Sequence, residues 1–415
     1  MADIVFAFDP AIDRPLAVPD AAHAAVVATV GRAAADSFAE AVAVATRAEA
    51  SALVVCGRWL DPRRASPAQA AAVRASIMAL AAAGCRTVFM ADDAIACQDF
   101  SRMLGEPQGL FFATPHAPLE LDIHGIAVEF VAAPEAAHLP AVVADEPAPT
   151  GVRRRLVVGW DASVPAAGSE DTPWPGDHDP AAAYVNAAAA SPAWTQPGSF
   201  WIWASRRRPA LPAGIHHLPP LQPRSPLERA DGCCHTLTLL DREEISDATE
   251  RVARHDWRSS WRDIPTQRVA WRTVRVESAA GGDEELATAL WTAIEQTAPG
   301  EQAPLELVRC LVECGTSVSR RVRVGELAAE TLARLRELFD PKSFRSWCVD
   351  LVADPGESLA ALGHARSGGR PGATTSFTSA LADLVETIEH SPTPALPAAA
   401  ARRAGWVALE LIEST

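Results

Sequence analysis

The chain has 415 residues, 48% of them hydrophobic, which is enough to bury one large core and a smaller one, so a main domain with an appended one is expected. A formal net charge of -15 excludes a surface built throughout to hold nucleic acid, because that affinity comes mostly from neutralised phosphates. The start MADIVFAFDP has no basic segment followed by an apolar run, and no window reaches about eighteen uninterrupted apolar residues, so a cytoplasmic protein with no membrane span is expected.

Ile4 to Phe8 reads as a short apolar strand, followed by the polar turn DPAIDRP. Apolar residues at helical spacing (Phe38, Val42, Ala45) predict a helix over Ala33 to Glu49, and Ala52 to Cys56 returns to a strand, completing a βαβ unit. A second helix is signalled by Ser66 as N-cap, Pro67 in the first turn, Gln69 closing a capping box, a face of Val73, Ile77 and Leu80, and Gly84 as the stop. With a strand at Thr87 to Met90, the alternation implies a parallel sheet covered on both faces.

Shorter strands are predicted around Leu110 to Phe112, Leu119 to Ile123 and Ile126 to Val131, then a Pro- and Ala-rich linker from Ala132 to Thr150. A strand at Leu156 to Gly159, an alanine-rich helix near Ala181 to Ala190 and a strand at Phe200 to Trp203 continue the same domain. Strands at Trp271 to Val276 and Leu305 to Cys314 around a helix at Asp283 to Gln296 predict a small α+β unit. Gly368, Gly369, Pro371 and Gly372 make a hinge before a helical stretch, where Phe377, Leu381, Leu384, Val385 and Ile388 share a face suited to docking on a partner.

Several polar groups have a bland reading. Cys233, Cys234 and His235, and the pair Cys310 and Cys314, lack the spacing of a structural zinc site and read as buried core residues. His216 and His217 read as part of a proline-rich loop, and GDHD at Gly176 to Asp179 as a polar turn. The arginine runs Arg153 to Arg155, Arg206 to Arg208, and Arg320, Arg321 and Arg323 read as solubilising charge, with phosphate contacts as the alternative. No Ser-His-Asp order, phosphate loop or dinucleotide fingerprint is present.

The informative stretch is VVCGRWLDP, Val54 to Pro62: a buried strand whose carboxyl end, where open α/β folds hold their ligand chemistry, carries Arg58. The order of segments resembles the SbcD-type DNA repair exonuclease subunits, calcineurin-like metallophosphoesterases with a small capping domain. Their first strand runs into D-x-H-L-D-x-P-L; here DPAIDRPL keeps Asp9, Asp13, Pro15 and Leu16, with Ala11 among them. Their G-D-x-x-D falls on Gly57, Arg58, Trp59, Leu60 and Asp61, and their G-N-H-D on Ala91, Asp92, Asp93 and Ala94. A strand ending in a metal-binding histidine falls on LVVGWDASV, with Asp161 at that position. The Y-x-x-L-G-H-x-H run falls on FWIWASRRR, placing Ser205 and Arg207 where both histidines would stand. Downstream, LPPLQPRSPLERADGCCHTLTLLD is similar to the family's P-G-S-x-Q-x-R-S-x-x-E-x-x-x-K-G-C segment.

The resemblance implies a calcineurin-like α/β sandwich over residues 1–275, an α+β capping domain over 276–355, and a hinge and helical tail over 356–415 that binds a partner. It also implies two divalent metals that activate a water, held by aspartate, asparagine and histidine at five strand ends. Of those ligands only Asp9 is plainly kept: Ala11 has no donor, Arg58 repels cations, and Ser205 and Arg207 are poor substitutes for imidazole. The expectation is therefore a non-catalytic homologue with no cofactor, acting with an SbcC-like coiled-coil ATPase, DNA, or a second copy of itself. The alternative is an active exonuclease whose Mg2+ or Mn2+ site is rebuilt from Asp9, Asp92, Asp93 and Asp161; a third reading is a binding module unrelated to DNA. For Arg58 the expectation is an ion pair with Asp9, with Asp93 and Asp161 as candidates for its remaining donors, against a solvent-facing Arg58 lying over Trp59.

Overall fold

The computed structural model of the chain describes residues 4–16, 22–134, 154–160, 199–206, 211, 214–225, 228, 232–239, 259–276, 283–296, 303–312, 321–322, 327–338 and 345–353. Two compact units divide it: Met1–Ser163, Asp179–Ala270 and Glu301–Leu305 form the first, and Val164–His178, Trp271–Gly300 and Glu306–Thr415 the second. Asp161, Arg207, Cys314, the arginines at 153, 208, 320 and 323, the turn at 176–179, and the predicted helices at 181–190 and 377–388 lie outside the described residues.

The first unit runs β1 (Ile4–Phe8), α1 (Ala24–Arg47), β2 (Ala52–Cys56), α2 (Pro67–Ala82), β3 (Arg86–Met90), α3 (Ala94–Leu104), β4 (Leu110–Ala113), β5 (Leu119–Ile123), β6 (Ile126–Ala132) and β7 (Arg154–Trp160). It continues through β8 (Ser199–Ala204), β9 (Ile215–Leu218), β10 (Cys233–Leu239) and β11 (Ser259–Pro265). One sheet has the order β11-β10-β1-β2-β3-β4, parallel from β1 to β4, with β10 antiparallel to β1 and β11 antiparallel to β10. A second has the order β5-β6-β7-β8-β9. The β5–β6 hairpin turns on His124 and Gly125, both with positive φ, as a tight hairpin turn requires.

The period of two along each strand decides what each face meets. Ile4, Phe6 and Phe8 of β1 and Ala52, Val54 and Cys56 of β2 point into a core shared with Val128, Phe130, Val158, Phe200 and Ile202 of the second sheet. Val5, Ala7, Leu53 and Val55 point the other way, against Phe38 and Val44 of α1, Val73, Ile77 and Leu80 of α2, and Phe100 of α3. The parallel strands are thus buried on both faces, by helices on one side and a second sheet on the other. The fold is mixed α/β.

The caps match the residue chemistry. Ser66 and Gln69 form the reciprocal capping box, with Gln69 N to Ser66 Oγ at 3.2 Å and Ser66 N to Gln69 Oε1 at 2.8 Å. Helix α1 begins at Ala24 rather than Ala33, under an N-cap from His23. Helix α3 has no counterpart in the sequence reading: Asp93 caps its start and Gly105, at φ 66°, stops it. The doublet His216-His217 is strand β9 rather than loop, because its backbone pairs with Ile202 and Trp203 of β8.

In the second unit β12 (Val269–Val276), α4 (Asp283–Gln296), β13 (Leu305–Val312), α5 (Ala328–Leu338) and β14 (Ser346–Ala353) give a sheet of order β12-β13-β14. Its core joins Val274, Leu286, Leu290, Val308, Cys310, Leu335 and Cys348. Among the described residues no helix is long and apolar enough to cross a membrane.

Candidate functional site

The carboxyl end of β1 runs into a turn in which Asp9 and Ala11 adopt φ of 50° and 40°, a region that residues with a Cβ enter only when their surroundings compel it. The turn after β2 compels it here. Asp9 N donates to Cys56 O at 2.9 Å, Ala11 N to Arg58 O at 2.9 Å, and Ile12 N to Trp59 O at 3.1 Å, so the two turns run side by side. Gly57 sits between them at φ 75°, where an added Cβ would lie 2.7 Å from Phe8 Cε2. Trp59 is buried behind the turn against Phe38, Phe89 and Phe100, so Arg58 does not lie over an exposed indole.

Asp9 is 2% exposed, and its carboxylate is fully engaged. Arg58 donates Nε to Oδ1 at 3.0 Å and Nη2 to Oδ2 at 3.2 Å, the forked pairing expected from the sequence. Arg206, just past the end of β8, adds Nη2 to Oδ2 and donates Nη1 to Glu228 Oε1 at 3.0 Å. The other Glu228 oxygen accepts from Arg224 N at 3.0 Å. The Arg224 side chain turns back to donate to the carbonyls of Ala11, at 2.8 Å, and Arg14. Arg14 stands 3.8 Å from Asp13 and 3.7 Å from Asp61.

Four guanidiniums, of Arg14, Arg58, Arg206 and Arg224, therefore meet four carboxylates, of Asp9, Asp13, Asp61 and Glu228. The cluster neutralises itself. Burial pushes the Glu228 carboxyl up while the Arg206 guanidinium opposes the rise, and burial pushes the Arg224 guanidinium down. Its rigidity comes partly from Gln222, buried just before Arg224, whose Oε1 accepts from Arg268 N at 2.8 Å and Val269 N at 3.1 Å while Nε2 donates to Val269 O at 2.7 Å.

These residues do not fit a two-metal centre. A cation at Asp9 would have to displace two guanidiniums, Ala11 offers no donor, and Arg58 is itself the local cation. Asp93 does not supply Arg58: its Oδ1 accepts from Ala96 N at 2.7 Å as the cap of α3. Asp92 is exposed on the same loop, and Asp61 Oδ1 accepts from Arg63 N at 2.9 Å. Ser205 Oγ lies 3.1 Å from His217 Nε2, but the same nitrogen is 3.1 Å from Ser205 O, which can only accept. Whether Nε2 donates to the carbonyl or accepts from the hydroxyl is set by the His217 tautomer.

A second polar cluster lies between the two sheets. His216 stacks on Phe200 with centroids 4.4 Å apart, and His235 stacks on Trp261 at 4.6 Å; Trp261 also touches Phe6 and His216. Burial drives the His235 imidazole down to about 3, helped by His217 and His216, and lowers His216 in the same direction. Cys233 Sγ is 3.3 Å from His235 Nε2. Cys234 faces the helix side, where burial pushes its thiol up to about 12, so Cys233, Cys234 and His235 do not converge on one point. No group of three or more metal-ligating side chains is found among the described residues.

Of the residues singled out from sequence, Asp9, Ala11, Arg58 and Asp61 meet at one place, and Ser205 is at its border through its neighbour Arg206. Arg206, Arg224 and Glu228 were missed as site residues, although Arg224 and Glu228 stand in the R-S-x-x-E part of the similar segment. No protein-family model matches the chain, and no curated protein matches it.

Proposed function

We propose that this chain is a non-catalytic relative of the SbcD-type exonuclease subunits, with a calcineurin-like α/β sandwich and a small capping domain, serving as a structural, partner-binding subunit of an SbcC-like coiled-coil ATPase. The observation that carries the reading is the pair of guanidiniums on Asp9: Arg58 and Arg206 supply positive charge at the strand ends where the resemblance would put metals. Two packed sheets, with α1 to α3 on the outer face of one, support the same reading of the fold. An unpaired buried carboxylate is costly, and a guanidinium fork compensates it without a cofactor. The shape of a phosphoesterase is kept and the chemistry is not.

Metal content and nuclease activity measured on one preparation of the full chain test the proposal, together with co-purification with an SbcC-like coiled-coil ATPase. The expected result is association without stoichiometric metal or cleavage. Retained manganese with manganese-dependent cleavage of DNA would establish the active reading instead. Neither activity nor association would leave a binding module unconnected with DNA.

A further inference from the structure

Strands β13 and β14 are parallel neighbours, and the Sγ atoms of Cys310 and Cys348 on them are 3.4 Å apart. The two are not register partners. Val308 faces Cys348 and Cys310 faces Leu351, because the register shifts between Val308 and Arg309, and the diagonal so formed brings the thiols together. Both are fully buried in the core beneath α4 and α5. A hydrogen bond with Cys348 and burial hold the Cys310 thiol well above the usual range. Arg336 of α5 fixes the Cys348 backbone, donating Nε to Cys348 O at 3.1 Å with its guanidinium 5.7 Å from the centre of the Trp347 ring.

Thiols that served only as small apolar groups would have no need to face one another. We propose that Cys310 and Cys348 are a redox pair that a hydroperoxide closes into an intrachain disulfide and a dithiol reopens. The sulfurs must approach by about 1.4 Å to reach the bonded distance of about 2.05 Å. In the first step local opening brings one thiol to water, where it ionises, and the thiolate attacks a peroxide oxygen, gaining an S–O bond while the O–O bond breaks and the departing hydroxide takes up the thiol's proton as water. The facing thiol then displaces water from the sulfenic acid and forms the S–S bond. Two thiols and one hydrogen peroxide give one disulfide and two waters. Burial selects the oxidant: a peroxide is small enough to enter during local opening, whereas a glutathione disulfide would have to form a mixed disulfide inside the core. The bond would close a loop of 38 residues and tie β13 to β14 under α5.

The test treats the full chain with hydrogen peroxide, blocks remaining thiols under denaturing conditions and maps peptides without reductant. The expected product is a linked pair of peptides carrying Cys310 and Cys348, about 2 Da lighter than their sum, lost on treatment with dithiothreitol and retained in Cys314→Ser. The oxidised protein should also melt several degrees higher than the reduced one. Full alkylation of both residues after peroxide would overturn the proposal, as would a link that requires Cys314 or joins two chains. In Cys310→Ala the sulfenic acid at Cys348 would have no thiol to condense with and should persist to be trapped by dimedone; if Cys310→Ala misfolds, the wild-type peptide map alone decides.

Discussion

The charged cluster at the strand ends and the imidazole stack between the sheets are two solutions to burying polar groups in one unit. Around Asp9 each carboxylate is set against a guanidinium of opposite charge. Around Trp261 burial holds the imidazoles uncharged as flat packed rings, even though His235 Nδ1 stands 2.9 Å from the exposed Asp263 carboxylate. The first arrangement fails when a partner is removed, the second when a proton is added. A polar residue in a core therefore has to be read by what it can be neutralised with, not by its type alone.

The sharpest way to break the comparison is to strand Asp9. Arg58→Ala should lower stability by about 3 to 5 kcal/mol, the usual cost of leaving one member of a buried pair, read as a drop in the denaturant midpoint. A change below about 1 kcal/mol, as for a surface pair, would mean that Arg206 alone satisfies the carboxylate.

Acid should break the second cluster instead. The unfolded chain protonates His235 near 6.5, whereas the folded chain resists until about 3, so stability is complete above pH 6.5 and is lost as pH falls through that window. At pH 5 the loss attributable to His235 is about 2 kcal/mol. Melting temperatures of the wild type and His235→Phe across pH 7 to 4.5 should converge as the pH drops; parallel curves would remove His235 from the account.

Arg58→Lys separates charge from geometry. A lysine retains the cation but cannot form the fork, and a loss of about 1 to 2 kcal/mol is expected, whereas no loss would reduce the site to net charge. Smallest of all, Asp93→Ala should cost about 1 kcal/mol, the value of an N-cap, with no added penalty in an Arg58→Ala background. Non-additivity in that double variant would return Asp93 to the cluster.

The local grammar of the first unit was legible because it is written in neighbouring residues: the apolar run IVFAF, the Ser66-Pro67-Gln69 start and the alternation between β1 and β3. Arg58 facing Asp9 followed from a single step, the adjacency of β1 and β2. Arg206 was not legible in that way, since it reaches Asp9 across a sequence separation of 197 residues, and Glu228 joins the site only through Arg206. Helix α3 was missed because its signal lies in its ends: the carboxylates of its first loop drew a metal reading, and the cap Asp93 looked like a ligand. The histidines of β9 were hidden by the proline after them, which marks the end of the strand and not a loop throughout.

The pairing of β1 carries a consequence for how this chain is made. One edge of β1 finds β2 within the first fifty-six residues, but its other edge is matched by β10, with Ile4 opposite Leu237. During synthesis β1 must wait with an open edge while β3 to β9 are made. Chains interrupted before Cys233 would keep Ile4 to Phe6 unpaired along that edge, so β1 would be among the last strands of its sheet to be enclosed.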